Sequence, residues 1–129
     1  MSDLIEIRDA ARAFIAERDW EKFQDPKSVM LALVGEVGEL AELLQWLPAD
    51  TARDLAQAEP LHGRLAEEMA DVLVYLVGLA DQCGVDLREA ALAKIEASGE
   101  KYPVEGHRGV APSRARRGGI RDVEPTDLY

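Results

Sequence analysis

Leu31-Ala-Leu-Val-Gly-Glu36-Val-Gly-Glu39-Leu-Ala-Glu-Leu-Leu-Gln-Trp46 and, further on, Leu65-Ala-Glu-Glu68-Met-Ala-Asp71-Val-Leu-Val-Tyr75 decide how this chain folds. Both stretches repeat apolar residues at i, i+3, i+4 and i+7, the period of a helix with one face turned inward. On a wheel of 100° per residue with Glu36 at zero, Leu47 falls at about 20°, Leu40 at about 40°, Leu33 at about 60° and Leu43 at about 340°. Glu36 therefore lies inside the apolar arc. Glu39 stands at its border, and Glu42 lies further towards the polar side. The second stretch repeats the arrangement with Glu68 at zero: Leu79, Val72, Leu65 and Tyr75 surround it, and Asp71 takes the border position.

Acidic side chains in an apolar seam need a reason. An unpaired buried carboxylate is costly, and several together raise one another's pKa. Two Glu-x-x-(Glu/Asp) pairs, each on one helix face, make physical sense if the helices pack side by side around a hard cation. Oxygen donors without His or Cys company favour Mg²⁺, with Mn²⁺ as a substitute. Two plainer readings stand beside this one: a solvated helix face, which suits Glu42 and Glu67, and a buried carboxylate–arginine network.

The rest of the chain also reads as helix. Leu4, Ile7, Ala11, Phe14 and Ile15 mark an amphipathic helix over about residues 3–18. Asp25-Pro26 is a helix start, and the second helix runs from Val29 to Trp46, stopping near Pro48. Pro48, Asp50, Pro60 and Gly63 make residues 48–63 a loop with one short helical turn around Ala52–Gln57. The third helix spans about Leu65–Cys83 and ends at Gly84; Asp86 caps a fourth, about Leu87–Gly99. The expectation is an all-α protein with a four-helix bundle-like core over residues 1–103. Residues 104–129 lose the periodicity and read as an irregular or partner-docked tail. That tail holds the Arg114–Arg117 cluster, and its charges nearly balance, so the helical body carries the negative charge.

The 129 residues suit one domain, and 15 basic against 25 acidic side chains give a net charge of −10. Such a balance argues against gripping a nucleic acid polymer or an anionic membrane through basic charge. A phosphorylated substrate would have to be reached through a cation or a local basic patch. The longest uncharged run, Val72 to Ala80, is far short of a bilayer span. The lone Cys83 and the charged opening of the chain point to a cytoplasmic setting, and Cys83 itself reads as a small core residue. Glu59-Pro-Leu-His62 has the Glu-x-x-His spacing of di-iron bundles but occurs once and is broken by Pro60. Trp20 and Trp46 suit core or subunit packing, with base stacking as the alternative. Lys94 and Lys101 read as solvated, and His107 lacks an evident partner.

Glu36-Val-Gly-Glu39, then 28 residues, then Glu68-Met-Ala-Asp71 resembles the EXXE…EXXD signature of MazG-like nucleotide pyrophosphohydrolases. Ala16-Glu-Arg-Asp-Trp20-Glu-Lys-Phe, Leu31 to Trp46, Glu67 to Leu76, Val85-Asp-Leu, Lys94 and Lys101-Tyr-Pro103 are similar to the dCTP pyrophosphatase-like branch. The likeness covers roughly residues 4–103. It implies an all-α hydrolase that splits a nucleoside triphosphate, dCTP or a related pyrimidine nucleotide, between its α and β phosphates. It further implies Mg²⁺ on Glu36, Glu39, Glu68 and Asp71. The attacking water needs a base, and an acid of this cluster would serve, with Glu39 and Glu36 taken as the catalytic pair although the sequence does not rank the four. Trp20, Trp46 and Tyr75 would form the base and sugar pocket. Lys94, Lys101 and Tyr102 would face the phosphates in a homodimer or homotetramer. Two positions depart from the pattern: Ser98 stands where the family usually has asparagine, and Ala11 where this branch has histidine. Two other classes compete with the hydrolase: a ferritin-like di-metal bundle and a non-catalytic helical module that binds a partner's arginines.

Overall fold

The computed structural model describes residues 3–110. Five α-helices follow one another: α1 (Asp3–Ala16), α2 (Pro26–Leu44), α3 (Ala52–Ala56), α4 (Leu61–Gln82) and α5 (Leu87–Lys101), with a 3-10 turn at Glu21–Phe23 between α1 and α2. No strand occurs among the described residues. The all-α expectation holds, and no helix is long and apolar enough to cross a membrane among those residues. The Arg114–Arg117 cluster lies outside the described residues.

The helix ends follow from local chemistry. Asp25 caps α2: its carboxylate accepts the Ser28 N–H at 3.0 Å and the Ser28 hydroxyl at 2.6 Å, while Pro26 supplies a first-turn residue that has no N–H to satisfy. Two helices close with the same left-handed device. At the end of α4, Gly84 has φ +66°, the Val85 N–H returns to the Ala80 carbonyl at 2.9 Å and the Gly84 N–H to Asp81 at 3.2 Å. At the end of α1 the left-handed residue is Asp19, φ +53°, and the Trp20 N–H reaches the Ile15 carbonyl at 3.1 Å. Asp86 then caps α5 by accepting the Glu89 N–H at 3.0 Å.

One boundary differs from the sequence reading. Pro60 and Gly63 signal a loop, yet α4 begins at Leu61. Glu59 explains it: its carboxylate accepts the Gly63 N–H at 3.2 Å, satisfying a first-turn donor that would otherwise be orphaned. The short turn expected around residue 52 is α3.

The described residues form two units, one running to Ala90 and one from Ala91 onward. In the first, α4 is the central element, packing against α2, α1 and α3. Val29 and Leu33 of α2 and Leu65, Val77 and Ala80 of α4 are its buried apolar side chains. Arg12 ties α1 to α4 through both oxygens of Asp81, with Nε 2.7 Å from Oδ2. That core is small. Met30, Val34, Val37 and Leu44 form a second, exposed stripe on α2, as do Met69, Leu73 and Leu76 on α4. Cys83 is another departure: it follows the last turn of α4 and is exposed rather than in the core.

Candidate metal centre

The seam between α2 and α4 sets the site. Leu33 lies one turn before Glu36, and Leu65 lies one turn before Glu68, so the leucines that bury the seam deliver the two acids to it. Glu36, Glu39 and Glu68 each bring a carboxylate oxygen to a common point, all within 4.8 Å of one another. Glu36 and Glu68 are half-buried; Glu39 is exposed. Asp71 is not among the three that converge.

The electrostatics are those of crowded acids. Partial burial, then the neighbouring charge of Glu39, pushes the Glu36 carboxyl above its ordinary range, and Asp71 and Glu68 add to the push. Glu68 is raised as well, by burial first and then by the charges of Glu39 and Asp71. Oε2 of Glu68 is buried and has no hydrogen-bond donor. Native structures rarely leave such an atom unsatisfied. A hard divalent cation fits: it prefers carboxylate oxygen, relieves the mutual repulsion and gives the orphaned oxygen a partner.

Two of the three acids, Glu39 and Glu68, border open space. Glu39, Glu42, Leu43, Leu47, Leu61, Arg64 and Glu68 line a cavity of about 540 Å³, a volume in the range of small-ligand sites. Two charged residues on this wall were not read as site residues from the sequence. Glu42, read as a solvated-face residue, is exposed but on the cavity wall. Arg64 lies one turn before Glu68 on the same face; its wheel position could have revealed it.

Trp20 is 44% exposed, its ring edge-on to Phe14 at 5.9 Å, while Arg18 lies 3.7 Å over the Phe14 ring. Trp46 is 84% exposed, just past the end of α2, and Tyr75 is half-buried. Neither tryptophan is a core residue of this chain. Lys94, Lys101 and Tyr102 belong to the second unit; both lysines are exposed, and Lys101 Nζ lies 5.5 Å from the Tyr102 ring centroid. His107 does have partners there, the Pro103 carbonyl at 2.9 Å and the Tyr102 ring. The Glu59–His62 pair is committed to structure, Glu59 to the start of α4 and His62 to the Ala56 carbonyl.

Comparison with known proteins gives this arrangement a lineage. The sequence profile of the MazG-like family matches residues 32–113, which include all four signature acids. The chain is 48% identical over 108 residues to dCTP pyrophosphatase 1 of Bos taurus and 47% identical over 100 residues to that of Homo sapiens. These matches cover 84% and 78% of this chain but only 64% and 59% of the relatives, so the chain spans less than two thirds of their length. Among solved structures, a pyrophosphatase from Archaeoglobus fulgidus superposes with a TM-score of 0.72 at 34% identity, over 80% of this chain and 94% of that one. The chain belongs to the MazG-like family, in the branch that the dCTP pyrophosphatases represent.

Proposed function

We propose that this protein is a Mg²⁺-dependent nucleoside triphosphate pyrophosphohydrolase that releases a nucleoside monophosphate and pyrophosphate. Its substrate would be dCTP or a related pyrimidine nucleotide, as the names of its relatives suggest. The observation that carries the reading is the convergence of Glu36, Glu39 and Glu68 from two helices, with a buried Glu68 oxygen left without a donor. Glu36, Glu39, Glu68 and Asp71 would hold Mg²⁺, or Mn²⁺ in its place. Bound there, the ion supplies charge neutralisation and polarisation of the phosphoryl oxygens.

The chain's own part is positioning and one proton. Water attacks the α-phosphorus, the bond from that phosphorus to the α–β bridging oxygen breaks, and pyrophosphate leaves with the electron pair. Glu39 takes the proton from the water; its exposure at the cavity lets it reach bulk solvent to release it. Glu36 shares the ligand role. Trp20, Trp46 and Tyr75 serve the base and sugar, and Lys94, Lys101 and Tyr102 the phosphates, on the strength of the family likeness. The functional domain is residues 1–103, with 104–129 as an appendage, in a cytoplasmic setting.

A second copy of the chain completes the fold in this reading. α2 and α4 each carry an apolar stripe beyond the one they bury, and helices that are apolar on two faces need a second covering surface. A homodimer or homotetramer supplies it.

Incubation with each ribo- and deoxyribonucleoside triphosphate, in Mg²⁺ or in EDTA, with measurement of monophosphate and pyrophosphate, tests the activity. Metal-dependent release of the two products in equal amounts is expected. No turnover of any triphosphate, or turnover unaffected by EDTA, refutes it.

A further inference from the structure

Arg64 lines the cavity beside Glu39, Glu42 and Glu68, a basic residue on a wall otherwise made of three acids and three leucines. It is exposed, and among the described residues its guanidinium forms no ion pair and donates no hydrogen bond. In this chain of net charge −10, Arg8 holds Asp9, Arg12 holds Asp81 and Arg88 holds Glu89, whereas Arg53, Arg64 and Arg108 have no acid partner among the described residues; of these three, Arg64 is the one on the cavity wall. The fold places Arg64 one turn, about 6 Å of helix rise, before Glu68 on the same face. Its head is thus directed at the cavity that the acids border without being neutralised by them. An arginine offers a planar fork of donors suited to two oxygens of one phosphate.

We propose that Arg64 is the anion-binding residue of this cavity, taking the outer phosphate oxygens of the nucleotide and of the pyrophosphate product. The identity of the anion rests on the hydrolase reading above; the anion site itself rests on the unpaired guanidinium in the cavity. A division of labour follows. The carboxylates take the cation, Arg64 takes the end of the phosphate chain, and the two do not cancel because they do not pair.

The test compares wild type with Arg64→Ala and Arg64→Lys by calorimetric titration of inorganic pyrophosphate in Mg²⁺, alongside titration of Mg²⁺ alone and steady-state kinetics. A charge-assisted phosphate contact predicts that Arg64→Ala weakens pyrophosphate binding about ten- to hundredfold and raises KM by a similar factor. Arg64→Lys should recover part of the loss. The affinity for Mg²⁺ alone should not fall, because removing a nearby positive charge cannot weaken a cation site electrostatically. Unchanged melting temperatures check that the variants fold, as expected for an exposed, unpaired side chain. Pyrophosphate affinity within twofold of wild type in Arg64→Ala, or no pyrophosphate binding by wild type, overturns the proposal. So does a parallel loss of Mg²⁺ affinity, which would place Arg64 in support of the metal site. Arg64-dependent pyrophosphate binding without hydrolysis of any triphosphate upholds the anion site and sinks the hydrolase reading instead.

Discussion

Replacing Glu68 by glutamine in protein stripped of metal separates a crowded acid cluster from an ordinary solvated helix face. Glu36 and Glu68 are both raised in the folded state, by burial and then by the charge of Glu39. A carboxyl whose folded pKa lies above its unfolded one contributes stability that is complete below the unfolded value and is lost as pH rises through the folded value. The metal-free cluster is therefore a destabilising element at pH 8. Glutamine keeps the shape of Glu68, removes one charge and offers an amide donor in the space around the orphaned Oε2. In EDTA at pH 8 the variant should melt above wild type, and the gap should close as pH falls and the raised Glu36 and Glu68 carboxyls take up protons. Mg²⁺ reverses the ranking. At a free concentration one hundred times its Kd, a ligand stabilises by about 2.7 kcal/mol. At about 4 °C per kcal/mol for a chain of this size, wild type should gain about 10 °C. The variant, short of one ligand, should gain less than a third of that. The affinity itself should be steeply acid-sensitive: two raised carboxyls must each release a proton, so it falls by up to about a hundredfold per pH unit below their values. Differential scanning calorimetry at pH 4, 6 and 8, in EDTA and in Mg²⁺, measures all of this. A variant that melts at or below wild type at pH 8 in EDTA, or an equal Mg²⁺ shift in both proteins, refutes the reasoning.

The Arg12 guanidinium holds the Asp81 carboxyl below its ordinary range, so this pair contributes stability above the unfolded carboxylate pKa and loses it as pH falls through the lowered value. Asp81→Asn should therefore melt well below wild type at pH 7 and level with it near pH 2; a gap independent of pH counts against the pair. Leu65, 4% exposed at the seam, should cost about 2–4 kcal/mol when cut to alanine, read as a lower urea midpoint; a loss under about 1 kcal/mol would mean the seam is not the core. Wild type should elute and scatter light as a multiple of its 14.2 kDa mass, and Val34→Glu together with Leu73→Glu should reduce it to that mass. A wild-type monomer would remove the case for a covering second copy.

Much of the architecture was readable from local rules because local rules cause it. The run of apolar residues at helical spacing specifies α2 and α4, and Asp25-Pro26 and Gly84 mark ends whose backbone groups need those residue types. The wheel also brought out Glu36 and Glu68 as acids in an apolar arc, and both are half-buried. The start of α4 was not legible. Pro60 and Gly63 outweigh the helix signal until Glu59 is seen to accept the Gly63 N–H. Cys83 misled for a related reason: residue type suggests burial, but its place just beyond the last turn of α4 leaves it in solvent.

Helical periodicity alone tells which side chains share a face, because 3.6 residues per turn follow from the backbone hydrogen bonding. It thereby named Glu36 and Glu39 as one pair and Glu68 and Asp71 as another. Which members meet depends on how the two helices pack. Glu36, Glu39 and Glu68 converge, Asp71 stays outside the group, and Glu42 and Arg64 turn out to border the same cavity. The reason is geometric: the rotation and axial register of α2 on α4 are set by how Val29, Leu33, Leu65, Val77 and Ala80 are buried, and a periodic pattern along one helix carries no information about its register on another.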